Sequence, residues 1–235
     1  AFSFTRGCRG TITVSGGINI DTGEEFLGEL QAPVGATAVN SLTTMMVVGG
    51  LTEAEVKTSL DIPSSVNLLT TDPAGESGTG YSNSELFAKA KTVQQLFQTT
   101  MDSVAETSSV TDTDAKKAIY QTAVSSLAGE IKKAPGTKLI TDGTTAATRV
   151  EDSTVSETLV ASMLSTAITN MKASSNTKLA GVKKNLNGED TGGTVAKELA
   201  DSLNEKFKRV SDNEVSKGLK RFMSLPDSSK TILLS

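Results

Sequence analysis

The chain has 235 residues, a formal charge of −4 at pH 7, 37% hydrophobic residues, 4% aromatic residues, and neither tryptophan nor histidine. Without histidine it lacks the commonest general base and zinc ligand, and with them every Ser-His or Cys-His nucleophile pairing. The basic residues are scattered, the densest being the pairs Lys116-Lys117, Lys132-Lys133 and Lys183-Lys184, which disfavours nucleic acid, and no apolar run approaches the ~18 residues that span a bilayer.

The opening segment Ala1–Gly10 lacks the apolar core of a secretion signal, and the chain reads as processed or cut from a longer polypeptide. Its one cysteine, Cys8, excludes an intrachain disulfide and leaves an interchain bridge open. Thr11 to Val14 alternates polar and apolar side chains, Ser15-Gly16-Gly17 turns, and Phe26 to Leu30 offers a second extended run. Residues 1–35 therefore read as a β-strand segment, either a hairpin or a partial sheet. Two strands alone are marginal in water, so they must pack on the helices or complete a sheet supplied from elsewhere.

Residues 36–235 read as a helical bundle domain. Ala38 to Val48 is apolar on most faces and predicts a buried helix that Gly49-Gly50 ends. Thr52 with Glu55 forms a capping-box pattern, and the helix it starts should end near Asp61 because Pro63 disfavours helical angles at Ile62. A Gly-, Ser- and Thr-rich loop over 70–83 follows. One apolar stripe then runs through Leu86, Ala90, Val93, Phe97, Met101 and Val104. A second, after a cap at Asp112 or Thr113, runs through Ala115, Ile119, Ala123, Leu127 and Ile131. Residues 138–147 fit no pattern. A third stripe takes Val155, Leu159, Met163, Ala167 and Met171, and a fourth, beyond the break at 187–193, takes Val195, Leu199, Leu203, Phe207 and Val210. Lys217 to Met223 reads as one or two more turns, and Thr231 to Leu234 as a docking tail. The expected fold class is mainly α: a multi-helix bundle preceded by a short β-hairpin or partial β-sheet.

Motifs for chemistry are weak. Ser175 and Lys178 have Ser-x-x-Lys spacing, but 59 serines and threonines make such coincidences common. Gly75 to Gly80 lacks the Lys-Ser/Thr ending of a phosphate loop. Glu24-Glu25, Glu53 with Glu55, and Glu151-Asp152 fall in turns or at helix starts, where the helix dipole explains them. Calcium could sit at Asn185, Asn187, Glu189 and Asp190, or at Asn19 to Glu24, yet neither loop has a full ligand set, and ordinary turn chemistry is the preferred reading. No catalytic residue, metal or other cofactor is expected.

Four segments between Gly10 and Pro73 carry a resemblance: Gly16-Gly17-Ile18-Asn19-Ile20-Asp21-Thr22-Gly23, Phe26-Leu27-Gly28-Glu29-Leu30-Gln31-Ala32-Pro33, Asn40-Ser41-Leu42-Thr43-Thr44, and Leu60-Asp61-Ile62-Pro63 with Asn67 to Pro73. In order and spacing they resemble a module of large bacterial surface proteins, adhesin-like proteins with repeated β-sandwich modules. Ser41 stands where proline is usual, and Asn67 where aspartate is usual. The resemblance implies the end of a β-sandwich, immunoglobulin-like or prealbumin-like, directly before a helical domain. Most of that sheet is absent here, which suggests truncation, or strands donated by a neighbouring subunit.

The functional expectation is a non-catalytic extracellular or cell-surface module, structural or adhesive, that assembles with its own copies or with neighbouring surface-protein domains. The assembly candidates are Phe2, Phe4, Ile12, Val14, Phe26 and Leu30, each of which could equally be core of the same chain. A phage virion component is an alternative setting. A module for a small ligand or glycan is a second alternative, opposed by the scarcity of aromatic rings, since Tyr81 and Tyr120 are the only tyrosines.

Overall fold

The computed structural model describes residues 10–17, 25–73, 83–143 and 153–187. Phe2, Phe4, Cys8, the turn from Asn19 to Glu24, the Gly75–Gly80 loop, Glu151-Asp152, the expected fourth stripe and everything after it lie outside those residues.

The chain is mainly helical with a two-stranded antiparallel hairpin before the helices, as the pattern predicts. Helices α3 (Asn83–Thr107), α4 (Thr113–Lys133) and α5 (Glu157–Ala173) are the long elements, and α4 packs between the other two. Every residue of the first two apolar stripes is buried. Asp112 caps α4 by accepting the Ala115 N–H at 2.8 Å, and Ser156 caps α5 by accepting that of Leu159 at 3.3 Å. Polar links join α4 and α5 beside the core: the Thr166 hydroxyl donates to Glu130 at 2.7 Å, and Asn170 to the buried Ser126 at 3.1 Å.

Two short helices brace one side, α1 (Ser41–Val47) and α2 (Glu53–Ser59). The first begins three residues later than Ala38, because Asn40 caps it: its side chain accepts the N–H groups of Leu42 and Thr43, and the Thr43 hydroxyl accepts that of Asn40. This is a capping box built with threonine in place of the usual acid. The box at Thr52 and Glu55 forms as expected, with reciprocal bonds of 3.2 and 2.7 Å. Between the helices, a Cβ at Gly49 would lie 2.5 Å from Met45 O and 2.6 Å from Ala128 Cβ, so glycine sets how closely α1 meets α4.

Two further expectations are corrected. The second strand is Glu29–Ala32, three residues beyond Phe26, because Phe26 turns inward and Gly28 passes so close that a Cβ there would meet the Phe26 and Tyr120 rings. Val155 belongs to a strand, β4 (Thr154–Val155), which pairs with β3 (Ile140–Thr141) from the segment that fitted no pattern. That ribbon docks through Leu139, whose N–H donates to Ser59 O at 2.6 Å. A 3-10 turn at Thr177–Leu179 leads into α6 (Ala180–Leu186), which buries Val182 and Leu186 ahead of the break at Asn187.

Candidate functional site

Two arrangements stand out, the hairpin and a buried charge cluster. In the hairpin, β1 (Ile12–Ser15) pairs with β2 (Glu29–Ala32) so that Thr13 faces Gln31 and Val14 faces Leu30. The outer edge of β2 is covered by α1: the Gln31 N–H donates to the Thr44 hydroxyl at 2.9 Å, and Gln31 O lies 3.3 Å from the same oxygen. Gln31 therefore points its backbone groups away from β1, which makes Thr13–Gln31 a pair without mutual hydrogen bonds. Thr13, and Ser15 by the same alternation, present their own N–H and C=O on the outer edge of β1, where no other backbone group among the described residues meets them.

The assembly candidates separate accordingly. Phe26 is 7% exposed and sets its ring edge-on to Tyr120 at 5.9 Å, inside the helical core. Leu30 is half-buried and packs on that core. Ile12 and Val14 are half-buried on the same face, farther out, and remain the described candidates at the uncovered edge.

The charge cluster centres on Lys89, 2% exposed on α3. Its ammonium donates to Leu60 O at 2.6 Å and Asp61 O at 3.0 Å, and pairs with Asp142 at 2.6 Å. Asp61 occupies the left-handed region at φ 54°, a position at a helix end usually left to glycine. Its carboxylate receives Lys138 at 2.6 Å and the Asp142 N–H at 3.1 Å. Burial raises the Asp61 carboxyl, but Lys138 and the Asp142 N–H outweigh it and hold the group below its ordinary value. Burial likewise pulls Lys89 below its ordinary value, against the opposing pull of Asp142, Asp61 and Glu85.

A lysine with a lowered pKa is a reasonable nucleophile in an open cleft. Here the ammonium is enclosed and engaged by three acceptors, which suits a clasp holding α3, the end of α2 and the β3 segment together. A depression of about 190 Å³ between α2 and the end of α4 is lined by Ala54, Glu55, Thr58, Ser59, Ile131, Pro135, Gly136 and Thr137, not by Lys89. It falls below the ~300 Å³ at which ligand pockets commonly begin. Sequence reasoning missed Lys89, Asp142 and Asp61, although Lys89 sits three residues after Leu86 and four before Val93, on the apolar stripe itself.

Among the described residues no three Cys, Asp or Glu side chains gather as a metal site. Of the residues considered for calcium in that turn, Asn185 donates its side-chain amide to Ser108 O at 2.8 Å, while Glu189 and Asp190 lie outside the described residues. No described helix is long and apolar enough to cross a membrane.

Tyr120 lies between Phe26 and Phe97, with its hydroxyl fully buried and without a hydrogen-bond partner among the described residues. Burial alone raises its pKa. Tyr120→Phe removes an unsatisfied polar atom and keeps both ring contacts, so it should stabilise the chain by about 1 kcal/mol. Thermal unfolding should show a midpoint about 2–4 °C higher; a lower midpoint would mean that the hydroxyl is satisfied. No protein-family model, curated protein or solved structure matches this chain.

Proposed function

We propose that this chain is a non-catalytic structural or adhesive module of the cell surface or extracellular space that assembles with its own copies or with neighbouring domains. The observation that carries this reading is the outer edge of β1, an uncharged strand whose outward backbone groups no other backbone group among the described residues meets, on an otherwise braced helical scaffold. Proteins that must remain monomeric commonly blunt such an edge with lysine, proline or a bulge. Residues 10–17 contain none of these, and no charged side chain.

Other features support the reading. Exposed faces rich in serine and threonine, a single cysteine, and the resemblance of Gly10 to Pro73 to bacterial surface modules all fit an exported, repetitive setting. The engaged Lys89 favours scaffolding over catalysis. Light scattering on the full chain over a rising concentration series tests the proposal, and the expected result is reversible association. A monomer at every concentration, with no affinity for neighbouring surface domains, refutes it.

A further inference from the structure

We infer that the outer edge of β1 pairs with β1 of a second copy, antiparallel about a two-fold axis at Val14, joining two hairpins into one four-stranded sheet. This rests on the assembly reading above and specifies its partner and contact.

The backbone sets the parity of the pairing, and an axis at Val14 satisfies it. On β1 the outward groups belong to Thr13 and Ser15, so a strand laid against that edge must present its own outward groups two residues apart. A second β1 does so. With the axis at Val14, Thr13 faces Ser15 of the second copy and Ser15 faces its Thr13, and each pair exchanges both N–H···O=C bonds. Val14 then faces Val14 in the closer, non-hydrogen-bonded position, where Cα atoms lie about 4.5 Å apart.

The side chains agree with that register on both faces. On one face the hydroxyls of Thr13 and Ser15, both exposed, meet across the axis as a polar cross-strand pair. On the other face Ile12 and Val14 are half-exposed beyond Leu30 and Ala32, and a second Val14 extends the cover they lack. No charge lies within residues 10–17, so the two-fold brings no like charges of this segment together. Gly16 at φ 79° and Gly17 at φ 101° end the strand and limit the contact to these few residues. The resulting interface is small, which predicts a weak, reversible dimer that gains strength where many copies are linked.

Sedimentation velocity over a concentration series tests this with wild type, Thr13→Pro and Thr13→Lys. The Thr13 N–H takes no part in the β1–β2 ladder, so proline at this edge should leave the thermal midpoint close to wild type. Each dimer loses two intermolecular bonds, and association should weaken about tenfold or more. Thr13→Lys places two cations beside the axis and should weaken it similarly. In a Cys8→Ser background, mild oxidation should join Val14→Cys to its own copy as a disulfide dimer, while Ile12→Cys, opposite Gly16, remains uncrosslinked. If wild type associates but Thr13→Pro associates equally well and Val14→Cys does not crosslink, assembly stands and this contact falls. If wild type is a monomer throughout, self-association through β1 falls with it, and only docking to neighbouring domains survives.

Discussion

Lys89→Ala is expected to lower the free energy of unfolding by about 3–5 kcal/mol, because it takes the Lys89 ammonium away from the largely enclosed Asp142 carboxylate and strips a donor from Leu60 O and Asp61 O. Urea unfolding should show the loss as a lower midpoint at an unchanged slope. Burial lowers the Lys89 pKa against the opposing pull of Asp142, Asp61 and Glu85. Harm comes from breaking half of the pair, because the remaining charge keeps its burial and loses its partner. A double-mutant cycle separates the two effects: Lys89→Ala with Asp142→Ala should cost less than the sum of the single changes, with a coupling of about 1–3 kcal/mol. Additive losses would show that the pair is not coupled. Acid adds a second signature. The Asp61 carboxyl titrates below its unfolded value, so its contribution is present above the ordinary carboxylate range and is lost as pH falls through the folded-state value.

The long helices were legible because period is a redundant signal. Leu86 to Val104 and Ala115 to Ile131 each repeat one face over several turns, and single exceptions do not erase such a pattern. Caps were legible where chemistry and spacing coincide, as at Thr52 with Glu55, but not at Asn40, whose box uses Thr43 where an acid is the usual sign. Short elements were legible where a cap, a glycine stop or strict alternation marked them, as for α1, α2 and β1, and not elsewhere. The strands β3 and β4 have two residues each, and α6 has seven, too few for any period to declare itself. The second hairpin strand was displaced by one local event, the inward turn of Phe26, which depends on a tyrosine 94 positions later and so on tertiary packing. Lys89 marks a further limit. A cation on an apolar stripe can be read as a gap in the stripe or as a buried ion, and its partners Asp61 and Asp142 come from distant loops. Of the assembly candidates, Ile12 and Val14 were found by alternation alone, while the open edge that makes them interesting depends on Thr44 covering the opposite strand.

Phe26→Ala is expected to cost about 3–4 kcal/mol, since it empties a site enclosed by Tyr120 and lined on its far side by the Tyr120–Phe97 contact at 5.6 Å. The loss should be uneven. The hairpin keeps its bonds to Thr44 and the contact of Glu29 with Gln121 at 2.9 Å, but these are peripheral, and the ring is its main apolar anchor in the core. Hydrogen exchange should therefore show Val14 and Ala32 amides losing protection while the buried centre of α4 stays protected. A change below about 0.5 kcal/mol, with hairpin protection intact, would mean that residues 1–35 are held independently of this ring. The two hairpin variants then divide the question of assembly. Thr13→Pro alters the edge and spares the anchor, whereas Phe26→Ala frees the anchor and leaves the edge chemically whole. If association needs β1 presented rigidly on the bundle, both weaken it but only Phe26→Ala also lowers stability. If a detached hairpin suffices, Phe26→Ala should associate as wild type does, and the helices would then serve as a carrier for the strand without setting its orientation.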